Sequence, residues 1–76
     1  MIKVTLIGLR RTEKIVDESS TIRTVLSENG LLQANNDYTL NLNALPEPAL
    51  DATFQEMGIR NGESCTLTSI ARKSNA

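Results

Sequence analysis

The predicted fold is organised around one segment, Thr21-Ile22-Arg23-Thr24-Val25-Leu26-Ser27-Glu28-Asn29-Gly30. Thr21 can cap the start of a helix through its side-chain oxygen, and Gly30 can adopt the left-handed conformation that ends one. The residues that fall on one face at helical spacing between them are Ile22, Val25, Leu26 and one polar residue, Asn29. Because so short a helix does not persist alone in water, the pattern predicts a helix of about two to three turns held by other elements.

Two strands are predicted before this helix. Residues 1–8 alternate, so that Ile2, Val4 and Leu6 face one way and Lys3, Thr5 and Ile7 face the other. A turn at residues 8–11 joins this strand to a second one at residues 12–17, and the two make a hairpin. Ile15 and Val16 are adjacent and cannot both point inward without a bulge. We expect Val16 to point inward and Ile15 outward.

Further elements are predicted after the helix. Leu31 and Leu32 return to the core, and residues 38–43 alternate as a third strand. Pro46 and Pro48 limit residues 44–51 to at most a short edge strand near Ala49 and Leu50.

The last third of the chain combines a helical turn with a strand. Thr53 and Glu56 have capping-box spacing, and Phe54 and Met57 would share one face of that turn. A tight turn at residues 61–62 leads to the final strand, residues 63–70, which directs Cys65 and Leu67 inward. We expect one domain over residues 1–70 and a short polar tail over residues 71–76.

Composition restricts the function classes. The chain has 76 residues, a net charge of −1, a single cysteine and no histidine. The balance of charge favours neither nucleic acid nor an anionic membrane as a partner, and no apolar run approaches the roughly 20 residues of a membrane span. We expect a soluble cytoplasmic protein that binds no cofactor.

The candidate reactive residues have structural interpretations. Cys65 is predicted to be a buried core thiol, because strand parity points it inward and there is no histidine to activate it. Two acidic pairs, Asp17 with Glu18 and Asp51 with Glu56, are expected to cap helices and solvate the surface rather than bind a metal. The sequence therefore predicts no enzymatic activity.

The order strand, strand, helix, strand, short strand, helical turn, strand resembles the ubiquitin-like β-grasp over nearly the whole chain. Residues 17–26 look like ubiquitin's passage from second strand to helix, and residues 53–67 look like its helical turn and last strand. The pattern Thr53-Phe54-x-x-Met57-Gly58-Ile59-x-Asn61-Gly62-Glu63 is similar to small bacterial ubiquitin-like proteins, including that of type VII secretion systems. Residues 21–31 equally resemble the sulfur carriers of thiamin and molybdopterin synthesis. The resemblance implies an α+β fold with a mixed sheet of four to five strands packed on one helix.

Two features of ubiquitin itself are not found in the sequence. Ubiquitin and the sulfur carriers end in Gly-Gly, whereas this sequence ends Ala71-Arg72-Lys73-Ser74-Asn75-Ala76 and has no glycine after Gly62. As written, it is not expected to be activated at its C-terminus. The outward strand positions that would carry ubiquitin's apolar patch are instead predicted to be polar, namely Asn41, Asn43, Thr66 and Thr68.

Two surface features are candidates for binding a partner. Ile7 and Ile15 would form a small apolar patch on the outward face of the hairpin, unless Ile15 turns inward at a bulge. In a β-grasp the first and last strands run parallel, so their C-terminal ends lie together. Four of the eight basic residues would then gather at one end of the sheet, namely Arg10, Arg11, Arg72 and Lys73. They could dock an acidic protein surface or a phosphate backbone, or they could simply be solvated.

These observations favour a non-conjugated ubiquitin-like module that docks a protein partner through its sheet face or an exposed strand edge. The alternative is a sulfur carrier or protein modifier of the same family whose C-terminus is processed or diverged. A small accessory protein associated with nucleic acid is the third interpretation.

Overall fold

The computed structural model describes residues 1–72. In chain order its elements are β1 (Ile2–Ile7), β2 (Arg11–Val16), α1 (Ile22–Glu28), β3 (Asn36–Leu40), β4 (Asn43–Leu45), a 3₁₀ helix (Glu47–Asp51) and β5 (Ser64–Ala71). The strands form one sheet in the order β2-β1-β5-β3-β4. β1 and β5 are parallel, and the other neighbours are antiparallel. Residues 73–76 of the predicted tail, including Lys73, lie outside the described residues.

The β1–β2 hairpin follows the predicted parity. Val16 lies opposite Ile2 and packs against the core, whereas Ile15 lies opposite Lys3 and is 64% exposed. The pairing of β1 with β2 is continuous from Ile2 to Ile7, so Val16 points inward and Ile15 outward without a bulge.

The central helix is capped as its sequence predicts. The Thr24 backbone N–H donates to Thr21 Oγ1 at 3.1 Å, and Ile22, Val25 and Leu26 are buried. Gly30 has φ +70°, and the Leu31 N–H donates to the Leu26 carbonyl at 2.8 Å. This bond and that from Gly30 N–H to the Ser27 carbonyl make a Schellman motif, which turns the chain back toward the sheet.

The core lies between α1 and the face of the sheet that carries Ile2, Val4 and Leu6. Its fully buried side chains are apolar and come from every part of the chain. They include Ile2, Val4, Leu6, Ile22, Leu26, Leu50, Phe54 and Leu67. Among residues 1–72, no helix has the length and apolar character that a membrane span requires.

The third strand ends earlier than the sequence predicts. β3 ends at Leu40, because Asn41 and Leu42 take positive φ values of 50° and 70° and reverse the chain into β4. Asn43 therefore lies opposite Leu40, on the helix side of the sheet, and not on the outward face. Tyr38, Leu40 and Leu42 alternate in the sequence as they would along a continuous strand, so the pattern gives no sign of this turn. In the structure Leu42 is 87% exposed.

The predicted edge strand near Ala49 and Leu50 is also wrong. The edge strand β4 lies earlier, and Ala49 and Leu50 belong to the 3₁₀ helix, which buries Leu50 completely. The two prolines lack backbone donors, which suits the start of a short helix, where Pro46 is the N-cap and Pro48 lies in the first turn. Arg23 of α1 holds this helix through Asp51 at 2.8 Å and Glu47 at 3.0 Å.

The capping box at Thr53 and Glu56 forms as predicted. Thr53 N–H donates to Glu56 Oε1 at 2.9 Å, and Glu56 N–H donates to Thr53 Oγ1 at 3.0 Å. The prediction that Phe54 and Met57 share one face is wrong, since Phe54 is fully buried while Met57 lies at the surface. Ile59 supplies the second buried side chain, because its N–H donates to the Phe54 carbonyl and brings the chain back to the core.

Candidate functional site

The two isoleucines of the predicted apolar patch share the outward face but lie apart. Ile7 is opposite Arg11 and Ile15 is opposite Lys3, so the Thr5–Glu13 pair stands between them. An ion pair from Lys3 to Glu13, 3.2 Å long, covers that part of the face. Ile7 and Ile15 therefore do not form a continuous patch, because four strand positions separate them.

The predicted basic cluster does not gather in one place, because its described arginines lie on opposite sides of β5. Arg10 lies in the β1–β2 turn, and Arg11 begins β2. Arg72 follows β5 and donates from Nε and Nη2 to Asp37 Oδ1 of β3, at 3.1 and 2.8 Å, which raises the pKa of Arg72. Since β3 lies on the side of β5 away from β1, this pairing turns Arg72 away from the other two arginines.

The outward sheet face is largely hydroxylated. Thr66 and Thr68 lie on it as predicted, and Thr68 Oγ1 lies 2.5 Å from Thr39 Oγ1. Of the two asparagines assigned to this face, Asn41 lies in the β3–β4 turn, where its side chain accepts from the Thr66 N–H at 2.9 Å. Ile70 shares the parity of Thr66 and Thr68 and is 58% exposed. The face is therefore polar at its centre and apolar where β5 ends.

Leu9 is the most exposed large apolar residue at this end of the sheet. It sits in the β1–β2 turn with its side chain fully exposed, next to the C-terminal cap of α1. Two cavities open beside it. One, of about 480 Å³, reaches Ile70 and Ala71, and the other, of about 310 Å³, reaches Arg10 and Thr12. Leu9, Gly30 and Leu31 line both cavities, and we call the combined depression the Leu9 groove.

The floor of the Leu9 groove is fixed by local chemistry. A Cβ atom on Gly8 would come within 2.7 Å of Leu31 Cδ2, so glycine there allows Leu31 to pack against the end of β1. The Leu31 carbonyl accepts from Ser69 Oγ at 2.6 Å, and Asn36 Nδ2 donates to the same Oγ at 2.9 Å. The groove is thus held by the helix cap, by β5 and by the start of β3.

The remaining candidate residues have structural roles. Asp17 Oδ1 accepts from the N–H and hydroxyl of Ser19, which lowers the pKa of Asp17, and Glu18 accepts from the Met1 ammonium at 2.9 Å. Asp51 pairs with Arg23, and Glu56 completes its capping box. Among residues 1–72, no three acidic or sulfur side chains converge as a metal site would require.

Cys65 is buried on the helix side of β5, as its parity predicts. Burial raises the pKa of its thiol from 9.0 to about 11. At neutral pH the group is therefore a protonated core side chain, and the reactive thiolate is disfavoured.

This burial predicts a stability change at alkaline pH. The folded pKa of Cys65 lies above the unfolded one, so the stability contributed by the protonated thiol is fully present below pH 9 and is lost as the pH rises toward 11. Chemical denaturation should show this fall, and Cys65→Ala should show a smaller fall over the same interval. Identical pH profiles for the two proteins would mean that Cys65 does not titrate with folding.

These features define a ubiquitin-like β-grasp: a mixed sheet in the order β2-β1-β5-β3-β4, with parallel β1 and β5, packed on one helix. Among solved structures, the chain is similar to a ubiquitin of Caldiarchaeum subterraneum, with a TM-score of 0.65. The match covers 99% of this chain and 98% of that one at 18% sequence identity, and so it shows the fold. No protein-family model and no curated protein matches the sequence.

Proposed function

We propose that this chain is a ubiquitin-like interaction module that binds a protein partner non-covalently. The docking surface is the end of the sheet where the Leu9 groove and Ile70 lie. The observation that supports the proposal most strongly is the fully exposed Leu9 between two cavities, with Ile70 exposed beside one of them. Complete burial of such a side chain contributes roughly 1.5–3 kcal/mol, which is a strong driving force for association.

Two further observations support docking at this place. The groove is built by the backbone of a capped helix and a paired strand, so little ordering is needed when a partner binds. Elsewhere on the outward face, threonines and the Lys3–Glu13 ion pair present polar groups. The proposed interaction is non-covalent because it depends on the burial of side chains alone.

Site-specific photo-cross-linking tests this proposal in the native host. A photoreactive amino acid in place of Ile70 should capture a protein partner upon irradiation. The same amino acid in place of Ile15 is the matched control, because Ile15 is also an outward strand isoleucine of similar exposure but lies at the other end of the sheet.

Two outcomes would contradict the proposal. Capture from position 15 and not from position 70 would assign docking to the hairpin face. Adducts that resist denaturation without irradiation would show covalent conjugation, as expected for the alternative function of a modifier.

A further inference from the structure

We propose that Asn61 is a site of spontaneous deamidation, and that the fold protects Asn29, the other asparagine that precedes a glycine in this chain. The dipeptides Asn61-Gly62 and Asn29-Gly30 are identical, so the sequence alone does not distinguish them. Asparagine is chemically labile, and a following glycine has no side chain to hinder attack by its backbone nitrogen. This modification is independent of the proposed docking surface, which lies at the other end of β5.

Deamidation at this site needs only water as a co-reactant. The Gly62 backbone nitrogen, after giving its proton to water or hydroxide, attacks Cγ of Asn61. The new C–N bond closes a succinimide ring, while the bond from Cγ to Nδ2 breaks and the nitrogen leaves as ammonia. Water then opens the ring at one of its two carbonyl carbons. Opening at Cγ gives aspartate, whereas opening at the backbone carbonyl gives isoaspartate, through whose Cγ the backbone continues.

The surroundings of Asn61 favour the reaction. Asn61 and Gly62 are both exposed in the turn that leads to β5. The Met1 ammonium donates to Asn61 Oδ1 at 2.7 Å, which draws electrons from Cγ and stabilises the negative charge that develops on Oδ1 during attack. The Gly62 N–H donates to the Met1 carbonyl at 2.9 Å, and this bond must open first. Because Met1 directly precedes β1, opening there is local and costs little.

The C-terminal cap of α1 holds both reacting groups of the second dipeptide. Asn29 is half-buried, and its Nδ2, the leaving group, donates to the Val25 carbonyl at 2.7 Å. The attacking nitrogen is that of Gly30, whose N–H donates to the Ser27 carbonyl at 3.2 Å within the Schellman motif. Attack at Asn29 therefore requires that the motif opens and that Leu31 leaves its packing against the core.

The isoaspartyl product should loosen the start of the β1–β5 pair. Isoaspartate adds one methylene group to the backbone directly before Gly62. Two backbone bonds position β1 beside β5 at this point, from the Gly62 N–H to the Met1 carbonyl and from the Lys3 N–H to the Glu63 carbonyl. A longer backbone cannot keep both bonds in their present geometry, whereas aspartate at position 61 leaves the backbone length unchanged. The isoaspartyl form is therefore expected to be the less stable product.

Incubation of the full chain in mildly alkaline buffer, followed by peptide mapping, tests the proposal. Trypsin cleaves after Arg23 and Arg60, so the two asparagines fall in different peptides, whose mass and isoaspartate content are measured separately. In the folded chain, position 61 should convert at least about tenfold faster than position 29, because only the latter needs the helix end to open. In concentrated urea the two rates should agree within about threefold, since the same dipeptide is then equally free.

The variant Asn61→Asp is the matched reference for stability, because it carries the aspartate product without the longer backbone. The purified isoaspartyl form should have a lower Tm than this variant. Equal conversion of positions 61 and 29 in the folded chain, faster conversion at position 29, or no conversion at position 61 while the urea-unfolded chain reacts would each overturn the proposal. A Tm for the isoaspartyl form equal to that of Asn61→Asp would contradict the expected loosening of β1 and β5.

Discussion

Replacing Leu26 by alanine is expected to unfold the chain or leave it close to unfolding. Leu26 is fully buried at the centre of α1, and its carbonyl also accepts the bond that turns Leu31 back to the sheet. Truncating a buried leucine costs about 2–5 kcal/mol, and a domain of this size often has little more than about 5 kcal/mol of stability. Urea titration followed by circular dichroism measures the loss.

Leu42→Ala is the matched control for this substitution. Leu42 is an exposed leucine in the β3–β4 turn, so the same chemical change should alter the free energy of unfolding by less than about 0.5 kcal/mol. A loss below roughly 1 kcal/mol for Leu26→Ala would show that α1 does not present this residue to the core.

Phe54→Ala should have an effect of similar size. Phe54 is the largest fully buried side chain, and its carbonyl accepts the N–H groups of Met57 and Ile59. Its own N–H donates to the Ser20 carbonyl, which ties the capped turn to the start of α1. Removing a buried phenylalanine costs about 3–5 kcal/mol. Differential scanning calorimetry should show a large fall in Tm or the loss of the transition.

Met57→Ala distinguishes the structure from the sequence-based prediction. Phe54 and Met57 were expected on one face of the turn, whereas Phe54 is fully buried and Met57 is 37% exposed. Its truncation should therefore cost about 1 kcal/mol or less. If both variants lost several kcal/mol, the face predicted from the spacing would be the correct one and Met57 would be buried in solution.

Elements specified by local chemistry could be predicted from the sequence. Thr21 and Gly30 cap α1, and Thr53 and Glu56 close a box, because each signal acts over three or four residues and does not depend on the rest of the fold. Alternation in β1 and β5 also predicted correctly which side chains enter the core. The order of these elements along the chain carried the resemblance to the β-grasp.

The β3–β4 region could not be predicted in the same way. Asn41 and Leu42 form the turn, but leucine at φ +70° is not a turn signal, and the apolar alternation runs through it. The 3₁₀ helix depends on tertiary contacts, since Arg23 holds Glu47 and Asp51 and the core buries Leu50. Such contacts are invisible in a local pattern.

The candidate site was predicted only in part. Arg10 and Arg11 lie, as expected, at the end of the sheet where β1 and β5 finish, whereas Arg72 pairs with Asp37. A binding role for these residues stays a prediction. Leu9 and Ile70, which belong to the proposed docking end, were not among the residues predicted from the sequence. Ile70 could have been found from its parity with Thr68, and Leu9 from being a large apolar residue directly after Gly8 in a turn. The cavities themselves depend on how α1 packs against the hairpin, which no spacing reveals.

Titration calorimetry of the cross-linked partner, once purified, tests the proposed docking end most directly. Ile70→Thr should weaken binding by about tenfold or more, because it removes an apolar contact beside the larger cavity, while Ile15→Thr should change it by less than about twofold. Both are isoleucine-to-threonine changes at outward strand positions of similar exposure. Equal affinities for wild type and Ile70→Thr, with a loss for Ile15→Thr, would contradict docking through the Leu9 groove.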